Sequence, residues 1–376
     1  MKILHICSGY PDTKLYQNLL RELDNKNIDQ TMYVPYKTSE ISNKRILDNA
    51  KHTEYIFSSP YTKLDRILYY PKINKILKDL KMRVDFRKVE LIHAHFLFSN
   101  GGIAYKLKKE IGIDYIVAVR NTDINYFFKY AIHLRSLGIK ILASAKKVVF
   151  LSPAYKSFLL DNYIPNHLKD EIHQKSVVIP NGVDNFWLEN INVNKQEYNE
   201  ENNIRLIFIG ELNNNKNVKS SIRAVTILKD KGYRVKFDII GSGADEDELK
   251  ILIKETNNQD SIKLHGFIED KNLLIRLLRK AHVFIMPSYN ETFGLVYIEA
   301  MTQGLPVIYS KGQGIDGYFR EGQVGFSVSP DNTEEIAFKI QSILKDYNKI
   351  YINAINAVNK FEWSKIANEY IELYNE

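Results

Sequence analysis

Glu291 and Glu299 stand eight positions apart, with Thr292-Phe293-Gly294-Leu295 after the first and Gly304-Leu305-Pro306-Val307 after the second. On a helix that spacing is a little over two turns, so both carboxylates can face one side. The apolar run Val283–Met286 before Pro287-Ser288 reads as a strand. Thr292–Thr302 reads as a helix that Gly304 and Pro306 close, and Pro306–Tyr309 as the next strand. The amides of Phe293, Gly294 and Leu295 then lie at a helix start, where unpaired N–H groups and the helix dipole favour phosphate. Two acids beside such amides suit a sugar nucleotide: amides for the diphosphate, Glu299 for ribose hydroxyls, Glu291 for the sugar. An acidic amphipathic helix yields the same bare spacing, so the flanking residues carry the argument.

Breaking a sugar–diphosphate bond leaves negative charge on the departing phosphate, which calls for a cation and aligned donors. Lys216, in the loop after the apolar run Leu206–Ile209, is the candidate cation; the alternative is a solvated loop lysine. Gly241-Ser242-Gly243 follows another apolar run and precedes a helix, a place where glycine lets backbone approach a ligand. Gly9, after the first strand, fits the same use. His93 and His95 share one face at the end of the strand Leu91–Ala94; His95 is the candidate at a ligand and His93 the structural one. Arg120-Asn121-Thr122-Asp123 follows the next strand. Arg120 can bind a phosphate or sugar carboxylate and Asp123 a hydroxyl, with Asn121 between them, or Arg120 and Asp123 simply order the loop.

The elements that must hold these groups alternate. Strand candidates in the first half are Ile3–Cys7, Thr31–Val34, Leu91–Ala94, Tyr115–Val119, Lys147–Leu151 and Ser176–Ile179, with helical stretches between. The second half repeats the pattern from Leu206–Ile209 through Val235–Ile240, Ser261–Leu264, Val283–Met286, Pro306–Tyr309 and Gly325–Val328. Such alternation predicts α/β architecture with doubly wound parallel sheets. The polar stretch Glu189–Asn203 reads as the linker, and 376 residues suit two domains.

One cysteine, Cys7, excludes an internal disulfide framework, and no apolar run reaches membrane-spanning length. The start is too short in apolar residues for a signal peptide, so cytoplasmic residence is expected. The net charge is +7, and basic residues cluster between Lys63 and Lys88 among apolar ones. Ile73, Ile76, Leu77 and Leu80 follow helical spacing, so this segment either lies on an anionic membrane surface or packs on the core with a solvated basic side. No groove-reading motif accompanies the charge, so nucleic acid is not expected. No metal is expected either: there is no His/Cys cluster at zinc spacing, and Asp245-Glu246-Asp247 reads as acids at a helix start.

The two-glutamate segment, Val178-Ile179-Pro180-Asn181-Gly182-Val183-Asp184 and the stretch Lys311–Val328 resemble the retaining glycosyltransferases of family 4. That resemblance implies the GT-B fold: two Rossmann-like domains facing a cleft, spanning 1–186 and 187–359, with a C-terminal helix, 360–376, crossing back to the first. It implies transfer of a sugar from a nucleotide diphosphate to an acceptor hydroxyl with retention, in capsule, exopolysaccharide or lipopolysaccharide synthesis, with a glycan or lipid-linked acceptor. No cofactor is implied beyond the donor, with UDP expected ahead of GDP or ADP. Glu291, Lys216 and His95 take the catalytic places. Gly9, Gly241, Phe267, Ile268, Glu291, Thr292, Phe293, Gly294, Leu295 and Glu299 take donor-binding ones, Phe267 and Ile268 beside the base. Arg120, Asn121 and Asp123 are sugar or acceptor contacts. One departure stands out: the family usually carries an arginine where this chain has Glu211. Other readings are a nucleotide-sugar-binding protein without turnover, or an epimerase or phosphorylase on a related architecture.

Overall fold

The computed structural model describes residues 1–37, 45–63, 65, 68–192, 198 and 203–376. It divides into two compact units. The first comprises Met1–Leu151, Lys156–Asn181 and Trp363–Glu376; the second Ser152–Tyr155 and Gly182–Glu362.

Among the described residues the first unit has seven strands: β1 (Lys2–Ile6), β2 (Asp29–Lys37), β3 (Thr53–Tyr61), β4 (Leu91–Ala94), β5 (Tyr115–Val119), β6 (Lys147–Phe150) and β7 (Ser176–Val178). They pair in parallel in the order β3-β2-β1-β4-β5-β6-β7. β4 and β5 are buried along their whole length, which is why they read as unbroken apolar runs rather than alternating ones. β3 lies outside the sequence reading; as an edge strand it mixes buried and exposed positions and carries Glu54, two serines and a proline.

The helix Trp363–Asn375 belongs to this first unit. Its Trp363, Ile366, Ala367, Tyr370, Leu373 and Tyr374 are buried in one cluster with Ile3, Leu19, Leu91 and Ile116. The helix Tyr69–Arg83 buries Ile73, Ile76, Leu77 and Leu80. The apolar face that could have lain on a membrane is therefore core, and what faces solvent is basic with scattered Leu68, Tyr70 and Met82. Leu64, Arg66 and Ile67 of that segment lie outside the described residues, as does most of the 189–203 stretch.

Among the described residues the second unit has six strands: β8 (Asn203–Ile209), β9 (Arg234–Ile240), β10 (Ile262–Leu264), β11 (Val283–Ile285), β12 (Val307–Ser310) and β13 (Gly325–Val328). Their parallel order is β10-β9-β8-β11-β12-β13. In each sheet the winding reverses once, between β1 and β4 and between β8 and β11. Outside the carboxyl ends of strands at such a reversal is where open α/β sheets hold ligands. No helix among the described residues is long and apolar enough to cross a membrane.

Candidate functional site

Lys216 and Glu291 come from the loops that leave β8 and β11, the two strands flanking the reversal of the second sheet. Their side chains meet directly: Lys216 Nζ donates to Glu291 Oε2 at 2.6 Å. With 22% and 13% of the two side chains exposed, the pair is shielded enough for its attraction to exceed that of a surface ion pair.

The two loops are stitched together by asparagine. Asn215 accepts from the Asn290 amide at 3.0 Å and donates to the Asn290 carbonyl at 2.9 Å, while its own carbonyl accepts from Tyr289 N at 2.8 Å. Asn217 donates from its side chain to the carbonyls of Pro287 and Pro330. Asn213 caps the short turn Asn214–Lys216 by accepting from Lys216 N. On the other side Gln313 accepts from Glu291 N at 3.1 Å, and the Gly314 amide donates to the Glu291 carbonyl at 2.6 Å. Sequence reasoning passed over these positioning residues; the run of asparagines from 213 to 217 was the available signal.

The helix after Glu291 runs Leu295–Thr302, three residues shorter at its start than the sequence predicts. Glu291 and Thr292 are therefore loop residues, and Glu291 is aimed by the stitched loops rather than by helical periodicity with Glu299. Gly294 enters the helix at φ +79°, and a Cβ there would lie 2.4 Å from the Tyr297 ring. Phe293 is buried against Tyr318 and Phe361, so only its backbone is available to a ligand. Among the described residues no backbone acceptor faces the amides of Phe293, Gly294 or Leu295, as expected of a helix start.

Glu299, a turn further along, is half-buried. Burial pushes its carboxyl up to about 7, against the pull of Lys271 and a hydrogen bond from Trp187, while Asp184 adds to the rise. Helix rise separates Glu299 from Leu295 by about 6 Å along the axis, a spacing one nucleotide can bridge.

At the exit of β8, in the loop that leads on to Lys216, Ile209, Gly210, Glu211, Ile240, Gly241, Ser242, Phe267 and Ile268 line a cavity of about 320 Å³. Gly241, Phe267 and Ile268 thus share one hollow. Gly241 has φ +144° and sits so close to β8's exit that a Cβ would lie 1.8 Å from the Gly210 oxygen. Phe267 is 73% exposed although large and apolar, the exposure of a ring with an open stacking face. Glu211 is an exposed carboxylate on the same hollow. The acids at 245–247 do start a helix, yet Asp245 makes no side-chain cap; Lys219 and Lys250 pair with the cluster instead.

In the first unit two of the expected residues are deeply buried. Asp123 is buried and accepts from the amides of Leu97, Phe98 and Arg120 at 3.0, 3.1 and 2.9 Å. These three bonds order the turn, and the Arg120 one comes from its backbone amide rather than its guanidinium. Burial pushes it up to about 6 even so, the three donors pulling the other way. His95 is wholly buried, with Nε2 3.1 Å from His5 Nδ1. In this arrangement no edge of its ring reaches solvent. Arg120 is buried, its Nε donating to the His95 carbonyl and its guanidinium over the Tyr16 ring. Asn121 accepts from the Asn125 side chain. Gly9 opens the turn Tyr10–Asp12, where a Cβ would lie 2.9 Å from the Phe96 ring; packing alone accounts for this glycine.

The profile of the family described as Glycosyl transferases group 1 matches residues 190–360, and that of Glycosyltransferase Family 4 matches residues 14–185. An uncharacterized glycosyltransferase of Methanocaldococcus jannaschii is 24% identical, spanning 100% of this chain and 98% of the relative. Among solved structures, sucrose-phosphate synthase from Thermosynechococcus elongatus superposes with a TM-score of 0.75 at 21% identity, covering 100% of this chain and 98% of the other. Anabaena HepE in complex with UDP gives 0.71 at 17% identity, covering 100% of both chains.

Proposed function

The chain belongs to the glycosyltransferases of family 4, with the two Rossmann-like units of the GT-B fold, and on that premise we propose that it transfers a sugar from a nucleotide diphosphate to an acceptor hydroxyl with retention of configuration. The observation that carries this reading is the Lys216–Glu291 contact next in sequence to the Phe293–Leu295 amides, with the Gly241–Phe267 hollow at the exit of the strand whose loop carries Lys216. A cation, a carboxylate, free amides and an apolar recess are the parts a sugar nucleotide needs.

In this scheme the base enters the hollow, stacking on Phe267, and the diphosphate passes the close backbone at Gly241. Glu299 accepts from the ribose hydroxyls. The diphosphate meets the helix-start amides and Lys216, whose ammonium turns from Glu291 toward the leaving oxygen. Glu291, held by Gln313 and Gly314, accepts from sugar hydroxyls. The bond from the anomeric carbon to the diphosphate breaks and a bond to the acceptor oxygen forms on the same face. The acceptor proton passes to the departing phosphate oxygen. Holding donor and acceptor together supplies proximity, and Lys216 with the amides supplies charge stabilisation.

UDP is the favoured carrier, since a fold relative binds it. The acceptor is a growing glycan or lipid-linked saccharide in bacterial surface-polysaccharide assembly, and the work is done in the cytoplasm or at the inner membrane face. The basic side of the helix Tyr69–Arg83 supports contact with an anionic surface by charge alone, its apolar face being buried.

The test is a panel of UDP-, GDP- and ADP-sugars scored by thermal stabilisation, then by transfer to saccharide acceptors with the product anomer read by NMR. Stabilisation and an anomer matching the donor support the scheme. An inverted product defeats it, and binding without transfer or slow donor hydrolysis favours a sugar-nucleotide sensor.

A further inference from the structure

The connection from β5 to β6 serves no step above, yet it presents the first unit's most apolar loop. After β5 the chain makes a π-helical turn, Asp123–Phe128, and then the short turn Ile132–Leu134. Turns of the first kind are rare and recur at functional sites. This one is held from inside: Asp123 accepts from three backbone amides, Ile124 and Phe128 are buried, and Phe127 stacks on Phe98 with ring centres 4.6 Å apart. Outward it turns Tyr126, Tyr130 and Ile132, each more than half exposed. The two tyrosine rings lie 6.5 Å apart and Ile132 follows two residues on, so the three form one apolar tip. Large apolar side chains gathered on a surface mark a place that is covered in use.

We propose that the tip formed by Tyr126, Tyr130 and Ile132 inserts into the headgroup layer of an anionic lipid membrane.

Charge selects that partner first. Lys129 sits within the tip, its ammonium 5.3 Å from the centre of the Tyr130 ring. No Asp or Glu occurs from Ile124 to Leu160, a stretch that also carries Arg135, Lys140, Lys146, Lys147 and Lys156. The second unit has more acids than bases, so the chain's net +7 is an excess of the first unit. Each cation held near an anionic lipid surface strengthens binding about fivefold. Side-chain type points the same way. Tyrosine joins an apolar ring to a hydroxyl that stays wet, which suits the headgroup layer, and isoleucine gains only where water is excluded. A saccharide would use the rings and leave Ile132 idle.

Position completes the argument. The tip lies in the connection that leaves the carboxyl end of β5, the edge at which such sheets hold ligands. The helix Tyr69–Arg83 starts against the same connection: Tyr69 donates to the Phe98 carbonyl at 2.8 Å, and Phe98 is the residue whose ring stacks on Phe127. Leu68 and Tyr70 are exposed at that start. The helix brings charge with its apolar face already buried, and the tip brings the apolar part that charge alone lacks. The purpose of this docking rests on the lipid-linked acceptor proposed above; the docking itself needs neither donor nor acceptor.

The full chain is floated with phosphatidylcholine vesicles, with and without phosphatidylglycerol, at low and high salt. Flotation with the anionic vesicles, weakened by salt, is expected. The triple variant Tyr126→Ser, Tyr130→Ser, Ile132→Ser should keep its thermal transition, since all three side chains face outward, and lose at least about tenfold in partitioning. Lys129→Gln should lose about fivefold. Should the triple variant fail to fold, Tyr130→Trp decides. Trp187 and Trp363 are buried, so the added indole is the one that meets the vesicle. Its emission should shift to the blue and be quenched by brominated acyl chains. The proposal is overturned by no flotation with anionic vesicles, equal flotation with zwitterionic ones, or equal partitioning of the folded triple variant. An indole that neither shifts nor is quenched, or a wild-type dimer that the triple variant lacks, overturns it too. Transfer is assayed apart, with soluble acceptors, so failure of the transferase reading and failure of the docking are told apart.

Discussion

Glu299 offers the sharpest handle on the donor site, because its carboxyl titrates at about 7. If ribose hydroxyls need the ionised form, only about 10% of the unliganded protein is ready at pH 6 and about 90% at pH 8. Affinity for a sugar nucleotide should therefore rise about tenfold over that span, or about 1.4 kcal/mol. The intact sugar nucleotide is the right ligand, since its diphosphate carries no terminal phosphate to titrate there. Calorimetry at about pH 7 in buffers of different ionisation heat should show release of about half a proton per molecule bound. The groups facing Glu299 are Lys271, Asp184 and Trp187, and the first two are already an ion pair at 3.2 Å. Free-protein stability has the opposite trend. A carboxyl raised on folding favours the protonated native state, so its contribution is full below the unfolded value of 4.5 and fades as pH rises through about 7. Glu299→Gln should flatten the binding profile and remove this group's share of the stability one, leaving that of Asp123, raised to about 6. Binding that is flat from about pH 6 to 8 in wild type, or a slope that persists in Glu299→Gln, refutes the ribose role.

Lys216→Ala should lower turnover by about 10²–10³, with a smaller change in donor affinity, and single-turnover kinetics separates the two. Wild-type turnover would remove Lys216 from the chemistry. Phe267→Ala should leave the unfolding midpoint nearly unchanged, since the ring is 73% exposed, yet weaken nucleotide binding by about 1–3 kcal/mol through lost stacking; undiminished affinity would place the base elsewhere. Gly241→Ala must displace the Gly210 carbonyl from 1.8 Å and strain a backbone at φ +144°. A loss of more than about 2 kcal/mol in denaturant unfolding is expected, and an unaltered midpoint would contradict the close approach.

Periodicity alone placed twelve of the strands, because buried parallel strands such as Tyr115–Val119 and Val283–Ile285 are short apolar runs bounded by turns. It missed β3, whose edge position lets polar residues intrude, and the helices Arg135–Ser144, Asn166–Gln174 and Tyr347–Ala357, which lack clear start signals. At the site, residue types singled out Lys216, Glu291, Glu299 and Gly241, since few side chains serve an anionic sugar carrier. Their aim was not legible. Glu291 is fixed by Lys216, Gln313 and Gly314, 22 to 75 positions away along the chain, and no local pattern encodes such meetings. His95 and Asp123 show the converse. Their types suit ligand contacts, while the fold holds Asp123 on three backbone amides and His95 against His5. The chain's own order thus determined strands, turns and the chemistry at hand. Only tertiary packing decided which polar groups meet a ligand and which satisfy the protein, because burial and pairing are properties of neighbours distant in sequence.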